Sequence, residues 1–466
     1  MRKYFLILVL SVLSLPNVMA QKQKKPNILF ILLDDLGYAD VGFNGQTKIL
    51  TPNLDQLASE GMNFTQHYAG APVCGPSRAV LMTGKHLGHC SVRANPKWTK
   101  SGKPLDLDQQ DVTVAKELKR AGYTTACIGK WGLGENLTTG IPNQQGFDYF
   151  YGFNSHKNAH RYYPEKVWRN DVHERIEGNI TKQKKGKYIT DLFTAEAKEF
   201  IKKNKEKPFY LHLAYTTPHF ELTIPEERKA YYKEQNWPLR EMKKGHYYHD
   251  RNGHVTYASM VTDVDRQIGE VLALLKDLNI DKNTLVIFAS DNGHEYDNGK
   301  EFFDSNGVYK GKKRDLYEGG IHVPFVAKWE GKIKAGTTCN EMFTFWDFLP
   351  TACEIAGIQP TDHEIDGISY LPTLLGKTKK QKQHDYLYWE FNERKGPIQL
   401  VRKGDWKLIN FIHKDRQQLF KITDDISEQS NLINQYPEKA EELRKILKEA
   451  RTEHPEFPLV KKGNSK

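Results

Sequence analysis

Asn27-Ile-Leu-Phe-Ile-Leu-Leu33-Asp34-Asp35 has no polar residue between Ile28 and Leu33 and ends on two carboxylates. An apolar run of this length without alternation reads as a strand buried on both faces, the pattern of a parallel sheet covered by helices. Thr284-Leu-Val-Ile-Phe-Ala-Ser290-Asp291-Asn292-Gly293 repeats it, with Asp291 and Asn292 at the tip. Open α/β sheets hold ligands beyond the carboxyl ends of their strands, and Asp34, Asp35, Asp291 and Asn292 all fall there. Paired carboxylates repel one another unless a cation neutralises them, and an all-oxygen donor set suits Ca²⁺, with Mg²⁺ second, rather than zinc. A turn or helix-capping pair is the competing reading of Asp34-Asp35 alone. Two more strands end on chemistry. Thr124-Thr-Ala-Cys-Ile128-Gly129-Lys130 finishes on a lysine, and Pro208-Phe-Tyr-Leu-His-Leu-Ala-Tyr-Thr-Thr-Pro218-His219 on an imidazole, whose pKa lies near working pH.

Working outward, helices are predicted over 51–61, 111–121 and 188–202, and a longer one is marked by Val261, Val264, Ile268, Val271, Leu275 and Leu278. Ala71-Pro-Val-Cys74-Gly-Pro76-Ser77-Arg78-Ala-Val-Leu-Met82-Thr83-Gly84 predicts a short helix with Pro76 at its first position, Gly75 extended before the proline, and Gly84 as the cap. Cys74 then stands at a helix N-terminus beside the Arg78 guanidinium, a setting for a nucleophile in an anion site. A buried cysteine on a capped helix is the bland alternative.

Cys74-Gly-Pro76-Ser77-Arg78 resembles the Cys-x-Pro-Ser-Arg signature of the formylglycine-dependent sulfatases of the alkaline-phosphatase-like superfamily. Ile128-Gly129-Lys130-Trp131-Gly132-Leu-Gly134 is similar to that family's Gly-Lys-Trp-His-Leu-Gly segment, with Gly132 where many members carry a histidine. Lys313-Arg314-Asp-Leu-Tyr317-Glu318-Gly319-Gly320 resembles its Lys-x-x-x-Tyr-Glu-Gly-Gly block, and His322 replaces an arginine often found there. The resemblance implies that Cys74 becomes formylglycine through a maturase enzyme. It implies one calcium held by Asp34, Asp35, Asp291 and Asn292 and shared with position 74. Arg78 would assist the nucleophile, Lys130 and Lys313 would bind sulfate, and His219 would protonate the departing alcohol. His156 and His160 lie where the family has a sulfate-facing histidine; both are candidate substrate ligands, and His160 is also the expected base in place of the imidazole missing at 132.

The resemblance implies an α/β fold with a large mixed, mostly parallel sheet flanked by helices, and a smaller C-terminal antiparallel sheet with one helix. The latter fits short strands near 386–391, 399–402, 406–411 and 418–422 and a helix over 438–451. The expected boundaries are a signal peptide over 1–20, with Arg2 and Lys3 ahead of an apolar core, a catalytic domain over 21–375 and a C-terminal subdomain over 376–466. That places the protein in the periplasm or outside the cell, without stable membrane insertion. Five cysteines in 466 residues leave little role for disulfides. The formal charge of +10, about +8 without Arg2 and Lys3, suits an anionic partner, and no motif points to nucleic acid. The function expected is exo-acting hydrolysis of a sulfated galactose or hexosamine unit. Alternatives are a phosphate or phosphonate ester hydrolase of the same superfamily, and a non-catalytic glycan-binding relative. Tyr162, Tyr163 and Trp168 are candidate sugar-stacking residues, His86, His89 and Arg93 could line the anion site, and the polar loop 221–254 could set specificity.

Overall fold

The computed structural model describes residues 25–135, 138–156, 158–240, 250–296, 302–394 and 396–459. The expected signal segment, and His246 and His249 of the polar loop, lie outside the described residues. Five parallel strands form the centre: β1 (Asn27–Asp34), β2 (Thr124–Lys130), β3 (Tyr149–Phe153), β4 (Phe209–Pro218) and β5 (Thr284–Ser290), in the order β5-β1-β4-β2-β3. Beyond β5 the strand Phe325–Lys328 runs antiparallel, followed by Met62–Phe64 and Thr337–Cys339. Beyond β3 lies the antiparallel hairpin Lys166–Arg169 and Val172–Arg175, which completes a mixed sheet of ten strands.

The contiguous apolar run of β1 has a direct structural cause. Strand side chains alternate between faces. Ile28, Phe30 and Leu32 enter a core shared with the helices Cys74–Thr83 and Phe348–Ala356. Leu29, Ile31 and Leu33 enter another, shared with the helices Ile189–Asn204 and Gly253–Asp277. Each such side chain contributes roughly 1.5–3 kcal/mol by leaving water. Neither face has room for a polar residue, so the first polar side chains come at the strand's end. Register then gathers those ends: Leu33 pairs with Ser290, and Asp34 lies beside Pro218.

The long helix starts at Gly253, ahead of the first periodic residue, Val261. Its first two turns are buried although partly polar, because Tyr257, His254 and Ser259 find partners inside. Tyr257 donates to Asp40 Oδ2 at 2.6 Å, His254 Nδ1 lies 3.0 Å from Tyr296 Oη, and Ser259 bonds the Val255 carbonyl at 2.7 Å. Periodicity of apolar residues cannot register such a face.

The C-terminal strands Leu387–Phe391, Ile398–Lys403, Trp406–Phe411 and Arg416–Lys421 form an antiparallel meander. One face, with Tyr388, Val401, Leu408 and Leu419, packs on the helix Pro437–Glu449. The other, with Leu387, Trp389, Leu400 and Ile409, joins the core beneath the Cys74 helix. Trp389 Nε1 donates to the Ala69 carbonyl at 2.9 Å, and Lys407 pairs with Glu318 at 2.8 Å and Glu428 at 2.9 Å. His322 belongs to this buried network, its Nε2 donating to the Thr65 carbonyl at 2.8 Å, and plays a packing part. All five cysteines are free and buried.

Candidate active site

The Cys74 helix spans Cys74–Thr83 after an extended Val73, and the Ser77 amide donates to the Val73 carbonyl at 3.2 Å. The helix therefore begins two residues earlier than the proline predicts, and Gly75 is helical rather than extended. Without a Cβ, Gly75 escapes the clash that a following proline ring imposes on other residues, and the missing Pro76 N–H falls in the first turn, where donors have no intrahelical partner. Gly84 caps the helix in the left-handed conformation (φ 69°), as expected.

Arg78 is the hub. Its Nε and Nη2 donate to Asp291 Oδ2 at 2.9 and 2.8 Å, and Nη1 to the Lys130 carbonyl at 2.6 Å. One guanidinium thus ties the helix to the ends of β2 and β5, a geometry the rigid fork of arginine allows and lysine does not. Lys130 Nζ lies 2.6 Å from Asp34 Oδ2, and Lys313 Nζ 2.6 Å from Asp35 Oδ2. His219 Nε2 is 3.4 Å from the same Asp35 oxygen. Asn292 Nδ2 donates to Asp35 Oδ1 at 2.7 Å. All of these side chains are buried. The structure therefore brings Asp34, Asp35, Cys74, Arg78, Lys130, His219, Asp291, Asn292 and Lys313 to one sheet edge.

Three cations face three carboxylates here. Burial would raise the Asp34 and Asp35 carboxyls, but Lys130 and Arg78 at the first and Lys313 at the second bring both below the ordinary value. Burial and the Asp34 charge push Asp291 up to about 7 against the pull of Arg78. Burial raises the Cys74 thiol and outweighs the pull of Lys130 and Lys313. A cation at the carboxylates would relieve their mutual repulsion. The donors are suited to one: Asp34 Oδ1 and Asn292 Oδ1 are buried without a hydrogen-bond partner, and Asp34, Cys74 and Asp291 offer atoms within 4.8 Å of one another. This set of carboxylate and amide oxygens fits a hard divalent ion.

The two loop histidines occupy different places. His156 Nδ1 lies 3.6 Å from Cys74 Sγ, and its Nε2 is buried without a hydrogen-bond partner. Two glycines make room for this ring: a Cβ at Gly132 would stand 2.8 Å from its Cε1, and one at Gly75 2.9 Å from its Nε2. The His156 imidazole therefore fills the space beside position 132. His160 instead stacks on His219, with ring centroids 3.7 Å apart and planes 5° from parallel. Burial, with Lys130 among the nearby positive charges, holds His156, His160 and His219 well below the usual imidazole value, and at His219 the Asp35 carboxylate opposes that shift.

Some candidates lie elsewhere. Tyr162 and Tyr163 are buried in the core and present no ring to a sugar. The Tyr162 hydroxyl donates to the Thr216 and His219 carbonyls at 3.0 and 2.8 Å, which steadies the end of β4. His86 and His89 turn to Asp366, at 3.4 and 2.9 Å, beyond the far end of the Cys74 helix. Arg93 Nε bonds the Cys90 carbonyl at 2.9 Å. Two contributors carry no sequence signal of their own. Asn95 Oδ1 accepts from the Gly75 amide at 3.2 Å and lies 3.9 Å from Cys74 Sγ. Glu393, from the C-terminal sheet's first loop, accepts the Asn95 amide at 2.8 Å. Only the fold brings residues 75, 95 and 393 together.

A cysteine-bearing helix, three buried cations and an oxygen set suited to a divalent ion, gathered at the carboxyl ends of parallel strands, fit a hydrolase of the alkaline-phosphatase-like superfamily. The sulfatase family model matches residues 26–358, and the model for the N-sulphoglucosamine sulphohydrolase C-terminal region matches 306–454. The chain belongs to the sulfatase family, and it is a sulfuric ester hydrolase. It is 32% identical over 387 residues to mouse N-acetylgalactosamine-6-sulfatase, covering 79% of this chain and 70% of the relative. It is 29% identical to N-acetylgalactosamine-6-O-sulfatase of Bacteroides thetaiotaomicron, covering 93% and 94%. The crystal structure of Ps i-CgsB in complex with k-i-k-neocarrahexaose superposes with a TM-score of 0.77 at 29% identity, covering 94% of this chain and 95% of that one.

Proposed function

We propose that the protein is an exported carbohydrate sulfatase that removes sulfate from a terminal galactose or hexosamine unit, using a formylglycine made from Cys74 by a maturase and a calcium ion. The observation that carries this reading is the charge balance of the buried site. Arg78, Lys130 and Lys313 already match Asp34, Asp35 and Asp291, so a divalent ion leaves the pocket positive and ready for an anionic ester. The relatives named for N-acetylgalactosamine 6-sulfate support a 6-sulfated hexosamine as the first substrate to try.

Asp34, Asp35, Asp291 and Asn292 would hold the calcium together with position 74. The matured residue and its metal would supply an oxygen nucleophile and a Lewis acid beside the sulfate. The chain's own groups do the rest. Arg78 fixes the helix that presents position 74. Lys130 Nζ and Lys313 Nζ bind sulfate oxygens and offset the charge that grows on them. The Asp35 carboxylate favours the imidazolium form of His219, from which Nε2 gives a proton to the leaving sugar oxygen, and the stacked His160 ring fixes its plane. His156 Nδ1, 3.6 Å from Cys74 Sγ, is placed to accept a proton at position 74, a role the sequence suggests for His160. The missing histidine at 132 is the sole sequence support for a non-catalytic relative, and the His156 ring beside that position speaks against it.

The test is sulfate release from N-acetylgalactosamine 6-sulfate, galactose 6-sulfate and N-acetylglucosamine 6-sulfate. The protein would be made in a host that forms formylglycine, with Cys74→Ala alongside. Release from a sulfated sugar by the matured wild type alone supports the reading. Absence of release from all three by fully matured protein contradicts the substrate class.

A further inference from the structure

We infer that a basic cleft beside the His156–His160 loop is a second anion subsite, which takes a sulfate or carboxylate on the sugar next to the one being desulfated. The inference rests on the carbohydrate-sulfatase reading above and narrows it to polyanionic chains. The cleft has a volume of about 460 Å³, and Asn158, Arg161, Lys166, His173, Lys182 and Lys184 are among its lining residues. That volume lies within the range of roughly 300–1,000 Å³ typical of ligand sites.

Its position follows from the chain. Asn158 and Arg161 flank His160, whose ring stacks on His219. Arg161 Nη1 pairs with Glu221 Oε1 at 2.7 Å, Lys184 Nζ pairs with the same oxygen, and Glu221 is buried two residues beyond His219. The cleft is therefore linked to His219 through the loop that carries His160 and through Glu221.

Its charge is unbalanced. Arg161 and Lys184 share one carboxylate, whereas Lys166 and Lys182 are exposed and make no ion pair among the described residues. Glu165 is the single acid in the lining. Four cations drawn from two separate segments raise a positive potential in a concave wall, which concentrates anions. His173 stacks on Trp168, centroids 4.4 Å apart and 10° from parallel, and adds a flat ring to the same wall. A glycan with an acidic group on each sugar fits this arrangement; a neutral glycan gains nothing from it.

The test uses a chondroitin 6-sulfate tetrasaccharide, which carries carboxylates as well as sulfates, and N-acetylgalactosamine 6-sulfate as the single-anion control. The variant is Lys166→Ser/Lys182→Ser, two exposed positions whose replacement leaves the fold intact; its thermal midpoint is checked against wild type. Binding is measured by calorimetry on chains carrying Cys74→Ala, which cannot turn over, at low and physiological salt. Wild type should bind the tetrasaccharide with strong salt dependence, and the double variant about tenfold more weakly, with the monosaccharide changed less than about twofold. Equal losses on both ligands, no loss on the tetrasaccharide, or no binding of the tetrasaccharide by wild type overturns the subsite. If the tetrasaccharide binds as expected but matured protein releases no sulfate from any sugar, the subsite stands and the proposed reaction fails.

Discussion

Replacing Gly132 with alanine tests whether the space beside position 132 belongs to His156. Gly132 has φ of +80°, so any side chain there is strained by about 1–2 kcal/mol from backbone conformation alone. The added Cβ would stand 2.8, 3.0 and 3.3 Å from three atoms of the His156 ring. Ordinary contact requires a ring shift of a little over half an ångström. Such a shift would also disturb the approach of His156 Nδ1 to Cys74 Sγ, now 3.6 Å. The expected result is a stability loss of about 2–3 kcal/mol, read as a lower thermal midpoint. Turnover should fall by about one to two orders of magnitude, the scale of a misplaced catalytic group. The informative assay is a double-mutant cycle with His156→Ala, with the fraction matured at position 74 measured in each protein. Once the ring is gone, Gly132→Ala should cost only its backbone strain and leave the residual turnover unchanged. If Gly132→Ala lowers turnover by the same factor with and without His156, the steric reasoning is refuted.

Other expectations follow from single contacts. Arg78→Lys loses the fork that joins Asp291 to the Lys130 carbonyl and leaves Asp291 partly unpaired in the interior; it should destabilise by roughly 3–5 kcal/mol, measured by chemical denaturation. Glu393→Ala, in the C-terminal sheet's first loop, removes the acceptor of the Asn95 amide and should lose about 1–3 kcal/mol together with turnover, though it touches no substrate; unchanged activity would show that Asn95 needs no such anchor. Burial holds His86 down at about 4, so protonation is opposed in the folded protein. Stability from this group is complete above the ordinary imidazole pKa and is lost as pH falls from about 6.5 towards 4, by up to about 3 kcal/mol. His86→Asn, which keeps an acceptor for the Gly88 amide, should flatten that part of the pH–stability curve relative to wild type. Chelation with EDTA should lower the thermal midpoint, and calcium should restore it more fully than magnesium; identical midpoints with and without the chelator would count against a metal at the carboxylates.

The parts of this molecule legible in the sequence are those set by local pattern. The runs before Asp34 and Asp291 declare buried parallel strands because both faces are covered, and the acids follow because the strand has left the core. Resemblance to the family's Lys-x-x-x-Tyr-Glu-Gly-Gly block is what singles out Lys313, the lysine that reaches Asp35. What was hidden depends on distance in sequence. Gly75 is helical although proline follows, because glycine lacks the Cβ that makes up part of the clash with a following proline ring. The first turns of the Gly253–Asp277 helix looked like loop because their polar side chains are satisfied by Asp40 and Tyr296, far along the chain. Tyr162 and Tyr163 looked like sugar platforms, and only packing shows them to be core. His156 and His160 were indistinguishable by composition; the glycines at 75 and 132 decide which ring meets Cys74.

The most direct test of the central claim couples modification to turnover. Protein preparations that differ in maturation would be labelled with an aldehyde-reactive hydrazide, the label mapped to position 74, and sulfate release from N-acetylgalactosamine 6-sulfate measured on the same samples. The account predicts turnover in proportion to the labelled fraction, and none from Cys74→Ala. Undiminished sulfate release from chains without an aldehyde at position 74 would contradict it.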